Sequence, residues 1–104
     1  MRMKPAHPGL LLAEQFETLD LKILPTAKIL GISRQQLHRI LKGEAPVTPD
    51  LAVKVGHMFA NGPDLWLNMQ SSYDAWMADE KLADMLKKIP VYTLRPNIYV
   101  REPI

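Results

Sequence analysis

Ala27 to Gly43 reads AKILGISRQQLHRILKG. Ala27, Ile29 and Leu30 fit the end of a short helix, and Gly31 suits the left-handed backbone that closes one. Two residues later Ser33 offers a side-chain oxygen as N-cap for a second helix. In that helix Leu37, Ile40 and Leu41 are spaced to form one apolar stripe. Two short helices joined by a glycine-containing turn make the helix-turn-helix unit, whose second helix can enter the major groove of DNA.

At about 100° per residue, an inward Leu37/Ile40/Leu41 stripe turns Gln35, His38, Arg39 and Lys42 outward and leaves Arg34 and Gln36 on the flanks. No carboxylate occurs between Ser33 and Gly43. Amides, a guanidinium, an ammonium and an imidazole are the groups that donate to base edges and phosphates. A basic helix face alone is most simply a solvated one. Here it coincides with the turn geometry, and that coincidence points to DNA contacts by Ser33, Arg34, Gln35, Gln36, His38, Arg39 and Lys42.

A chain of 104 residues, 47% of them hydrophobic, can fill one core but not two. The formal net charge is only +2, so an anionic partner requires that the positive charge be concentrated. It is: from Met1 to Lys54 there are eight basic side chains and five acidic ones. With no cysteine there is no disulfide framework, thiolate metal site or thiol nucleophile, and a reducing, cytoplasmic compartment is expected. No apolar run is long enough for a membrane span, and Leu10-Leu11-Leu12 is too short for a signal-peptide core.

Upstream of the decisive stretch, Met1 to His7 reads as a polar arm ending at Pro8, a proline suited to the first turn of a helix. Leu11, Leu12, Phe16 and Leu19 give that helix its stripe, to about Thr18. His7 is open to three roles, as a cap, an exposed residue or a phosphate contact, of which the first two are the simpler. Asp20 to Leu24 reads as a linker, with Pro25 in the first turn of the next helix.

Downstream, Glu44 to Val47 reads as a loop and Thr48-Pro49 as an N-cap followed by a helix-opening proline. Leu51, Ala52, Val55, Met58 and Phe59 form the inner face of a fourth helix ended at Asn61-Gly62. His57 has no metal-ligating neighbour in sequence, so no metal site is expected there. Pro63 opens a fifth helix, where Leu65, Trp66, Met69, Tyr73, Trp76 and Met77 share a broad face and Leu67 points nearly opposite. Past Ala78 the phase breaks, and Leu82, Met85, Leu86 and Ile89 suggest a sixth helix with Asp79 as N-cap. Trp66 and Trp76 read first as core, and with Leu67 and Tyr73 they are also the residues assigned to a twofold dimer interface.

After Pro90 two β-prone runs, Val91 to Leu94 and Ile98 to Val100, leave a hairpin, an edge strand or a loose tail open. The expected architecture is therefore all-α. Residues 1–78 form a five-helix, lambda-repressor-like DNA-binding domain, and 79–104 add a short helix and an extended, β-prone tail.

Four segments together resemble the HigA-type antitoxins, a branch of the Xre/Cro-like helix-turn-helix proteins. They are HPG at His7 to Gly9, the stretch from Ala27 to Gly43, TPDLAVKVG at Thr48 to Gly56, and PDLWLNMQSSYDAW at Pro63 to Trp76. The helix-turn-helix alone says only DNA binding, whereas HPG combined with WLNMQ and Tyr73-Asp74 is far more specific. The resemblance implies a five-helix homodimer that binds a palindromic operator, represses its own operon and neutralises a RelE-like mRNA-cleaving toxin. Ser33, Arg34, Gln35 and Arg39 stand where that family carries its recognition-helix residues.

Two other functions fit the same residues. One is an inhibitor of a toxin enzyme with DNA binding secondary, and the other a stand-alone repressor with no toxin. Catalysis is the weakest option, because three scattered histidines and no cysteine, Gly-rich phosphate loop or paired carboxylates assemble no reactive constellation. No cofactor is expected.

Overall fold

The computed structural model describes residues 2–93. Six helices follow one another: α1 (Pro8–Thr18), α2 (Ile23–Leu30), α3 (Arg34–Leu41), α4 (Pro49–Met58), α5 (Asp64–Lys81) and α6 (Ala83–Leu86). Local chemistry sets most of their ends. The His7 ring accepts from the Gly9 N–H at 2.9 Å, the Ser33 hydroxyl from Gln36 at 3.0 Å and the Thr48 hydroxyl from Leu51 at 3.3 Å, so three helices begin on a side-chain cap. Between α2 and α3 Gly31 takes φ +70°, a left-handed conformation that lets the chain reverse within three residues.

One apolar cluster joins α1 to α5. Leu12 and Phe16 of α1, Ala27 and Leu30 of α2, and Leu37 and Ile40 of α3 meet Leu51, Ala52 and Val55 of α4, Trp66 of α5 and Val47 of the α3–α4 loop. Trp66 is fully buried, and its indole N–H donates to Asn61 Oδ1 at 3.1 Å, so the largest core side chain leaves no polar atom unpaired. The ion pairs Arg2–Asp79, Lys22–Asp20 and Lys87–Asp84 all lie on the surface, where each contributes no more than about 1 kcal/mol. Packing and caps, not surface charge, hold these helices together.

Two boundaries and one packing face differ from the sequence expectation. α2 starts at Ile23, so Ile23 and Leu24 belong to the helix and Pro25 is its third residue. The N–H groups of a first turn have no partner within the helix, so proline is tolerated there. Second, Asp79 does not cap a sixth helix. Its carboxylate accepts from Arg2 at 3.0 Å while α5 runs on to Lys81, and the break falls at Leu82. Third, Ile29 and Leu19 are exposed, so the inner faces of α2 and α1 are narrower than their apolar residues suggest.

Among the described helices α6 touches α5 alone, and Leu82, Met85, Leu86 and Ile89 are exposed. Val91, Tyr92 and Thr93 form no strand; the rest of the β-prone tail lies outside the described residues. Among the described residues no helix is long and apolar enough to cross a membrane.

Candidate nucleic-acid interface

α3 divides cleanly into two faces. Leu37 and Ile40 are buried and Leu41 is half-buried, while Ser33, Arg34, Gln35, Gln36, His38, Arg39 and Lys42 are all exposed. The seven side chains proposed from the sequence for DNA contact thus sit on one exposed helix and its caps. Among the described residues two of the seven side chains have a partner in their own chain: Ser33 holds its cap bond from Gln36, and Arg39 donates from Nη2 to the Glu44 carbonyl at 3.3 Å. The Arg39 bond is exposed and near the long end of its range, so water or a base edge replaces it at little cost.

What fixes α3 lies on its other side. Gly9 packs directly beneath the Ile40 carbonyl: a Cβ at Gly9 would lie 1.7 Å from that oxygen, so only glycine lets α1 approach the end of α3. The neighbouring His7 is buried, a second clamp on the same end. Its side chain lies 3.5 Å from where a Cβ on Gly43 would stand, and its ring meets Tyr73 of α5 edge-on with centroids 4.9 Å apart.

The Gly9 cap bond requires an unprotonated His7 Nδ1, which makes the ring neutral with its proton on Nε2. Burial lowers the His7 pKa below its ordinary value of 6.5, and the Asp74 charge and a hydrogen bond to the Ala45 backbone oppose that shift.

Gln70 completes the support. Its Oε1 accepts from the Val47 N–H at 2.8 Å and its Nε2 donates to Asp74 Oδ1 at 2.9 Å, so one buried amide ties the α3–α4 loop to α5. His7, Gly43, Ala45, Gln70, Tyr73 and Asp74 line one cleft of about 280 Å³. The HPG segment and the Gln70, Tyr73, Asp74 part of the fifth helix, some 60 residues apart in sequence, therefore form one node behind the exposed helix. Sequence reading did not assign this role: it left His7 as a cap or exposed residue and placed Tyr73 at a dimer interface. The signal present was the joint occurrence of the two motifs.

The four residues assigned to that interface do not form one patch. Trp66 is 0% exposed, as its first reading as core has it, and its assignment to the interface is corrected, since a side chain without surface cannot meet a partner. Leu67 is half-buried against the core and lines a cleft with Pro46, Thr48, Pro49 and Ser71. Tyr73 and Trp76 are half-buried beneath the N-terminal arm: Lys4 Nζ stands 5.7 Å from the Tyr73 ring centre, and the Arg2 guanidinium 4.5 Å from that of Trp76. Ile23, which the sequence placed in a linker, instead borders α3 and lines a cleft with Arg34, Gln35 and His38.

No family model matches the chain. It is similar to an HTH-type transcriptional regulator of Haemophilus influenzae, 38% identical over 73% of this chain and 72% of that protein. Among solved structures it is similar to an addiction module antidote protein of a HigA family from Coxiella burnetii, at 36% identity and a TM-score of 0.77 over 86% of this chain and all of that one. The antitoxin GraA in complex with its operator superposes with a TM-score of 0.79 at 25% identity, over 91% of this chain and 97% of GraA.

Proposed function

The chain belongs to the HigA-type family of Xre-like helix-turn-helix proteins, and on that premise we propose that it is an antitoxin that binds a specific operator through α3. It represses its own operon and neutralises a RelE-like toxin that cleaves mRNA. The observation that carries the DNA-binding reading is α3 itself. It is a carboxylate-free helix with seven exposed polar or basic side chains on and around it, locked from behind by Gly9, His7 and Gln70.

In this reading Arg34, Lys42 and the α3 N-terminus at Ser33 take phosphates and set the register, with His38 beside them. Gln35, Gln36 and Arg39 read base edges, glutamine preferring adenine and arginine guanine. The protein acts as a homodimer on a palindromic site, its two α3 helices about 34–36 Å apart, and the flank of α5 carrying Leu67 supplies part of the twofold contact. An antitoxin of the same fold, GraA, in complex with its operator supports the operator-binding part of this reading.

Selection of a duplex from a random library, followed by gel shifts against a scrambled duplex at fixed salt, tests the DNA reading. Preferential binding of the selected duplex is expected, and equal affinity for both overturns it. Co-expression with a RelE-like toxin, taken from an adjacent reading frame, tests the toxin reading. Co-purification and suppression of mRNA cleavage are expected, and cleavage undiminished by this chain removes the antitoxin role while leaving repression standing.

A further inference from the structure

Beside the reading face, Ile23 opens α2 and is half-buried, bordering a cleft of about 340 Å³ whose other lining residues are Arg34, Gln35 and His38. Its neighbour Lys22 is not among the residues lining that cleft, and its ammonium pairs with Asp20 at 3.2 Å. The result is an apolar floor rimmed by a guanidinium, an amide and an imidazole, on a helix that carries no carboxylate.

This combination matches one feature of the major groove. Thymine presents a 5-methyl group beside its O4 acceptor, and its adenine partner adds an N7 acceptor and an N6 donor. Cytosine in the same place lacks the methyl group and turns an N4 donor toward Arg34, which can only donate, so the cleft both attracts thymine and disfavours its competitor. We propose that Ile23, with Gln35 and His38 at its rim, is a specificity-determining residue that takes the 5-methyl group of one thymine in each operator half-site. This rests on the DNA-binding reading above. Gln35 then addresses the adenine of the same pair, and both strands of one base pair are read at the α2–α3 junction.

The test uses the full chain and the duplex it selects from a random library, with thymines replaced one at a time by deoxyuridine, which deletes only the methyl group. Affinity is measured by fluorescence anisotropy at fixed salt. One thymine per half-site is expected to show about a fourfold loss on replacement, the effect of withdrawing one methyl group from an apolar contact. In Ile23→Ala and Ile23→Ser the same replacement has no effect, while Ile23→Val keeps most of it. Each ratio compares two duplexes on one protein preparation, so lost stability cancels, and the valine variant reports even where the smaller residues prevent folding.

A selected duplex that tolerates deoxyuridine at every position overturns the proposal, as does a loss equally large in wild type and Ile23→Ala. In either case operator binding itself survives. Failure to select any duplex defeats the operator reading instead, and this inference with it.

Discussion

The ring of His7 meets that of Tyr73 edge-on, centroids 4.9 Å apart and planes at 75°. It holds the α1 cap on one side and faces α5 on the other, so the neutral imidazole is a structural part. Because burial lowers its pKa, the unfolded chain takes up a proton more readily than the folded one. The contribution of the neutral ring to stability is therefore complete above the unfolded value of 6.5 and is lost as pH falls below it toward the lower folded value. Urea unfolding followed from about pH 7.5 to about pH 5 should show wild type weakening through that window. His7→Asn, which keeps a cap acceptor but does not titrate, should show a shallower decline; an identical pH dependence in both proteins would refute the assignment.

Gly9→Ala should be more damaging than its single added carbon suggests. The new Cβ would lie 1.7 Å from the Ile40 carbonyl oxygen, so α1 or α3 must move. Overpacking of this kind costs about 1–3 kcal/mol or more. Because α3 carries the reading face, loss of operator affinity should exceed what the unfolded fraction accounts for. The check is thermal unfolding alongside DNA binding at a temperature where the variant is folded, with unchanged affinity as the contrary result.

Gln70→Ala removes both hydrogen bonds of the buried amide and leaves the Val47 N–H without its partner. An unsatisfied buried donor costs about 1–3 kcal/mol. Gln70→Glu keeps an acceptor for Val47 but sets a second carboxylate against Asp74, so its penalty should shrink as the pH is lowered and that pair takes up a proton. Chemical denaturation of both variants at two pH values decides this, and a glutamate variant as stable as wild type at neutral pH would contradict it.

How far the sequence carried depends on how local the cause was. Ser33, Gly31 and Thr48-Pro49 act within three residues of themselves, so α3, the turn before it and α4 were readable from side-chain type and spacing. Pro25 misled because a first turn accepts proline at more than one position, which shifted the start of α2 and hid Ile23 in a linker. Asp79 looked like a cap, but its partner is Arg2, 77 residues earlier, and no helical pattern records such a pairing. An apolar stripe on α5 cannot distinguish core from interface, so Trp66, read first as core, was assigned to the interface as well, while Gln70, polar and buried, was given no role of its own. The exposure of the seven residues at α3 was legible because one helix and its two caps carry them all; the node beneath them joins four segments and was not.

The N-terminal arm offers a separate check on how α5 is dressed. Arg2 stacks over Trp76 and pairs with Asp79, but both ionic groups remain largely in water, so Arg2→Ala should cost less than about 1 kcal/mol. The spectroscopic effect should be clearer than the energetic one. Trp66 is sealed in the core, so acrylamide quenching reports on Trp76, and the quenchable fraction should rise in the variant. Equal quenching would mean that the arm does not cover the ring in solution.

Arg39 and Lys42 should separate base reading from phosphate binding. Arg39 extends from the middle of the exposed face, and its bond to the Glu44 carbonyl is weak enough to exchange for a guanine edge. Lys42 sits at the C-cap of α3, where a backbone phosphate is the natural partner of a single flexible ammonium. Arg39→Ala should weaken the selected duplex by about 1–3 kcal/mol, leave scrambled DNA much less affected and relax preference at one base pair. Lys42→Ala should weaken every duplex similarly and reduce the slope of log affinity against log salt by about one. Binding curves for both variants on matched and scrambled duplexes at several salt concentrations measure all of these quantities together. Should Arg39→Ala instead lower both affinities equally, Arg39 is a phosphate contact, and base reading by this helix falls to Gln35 and Gln36.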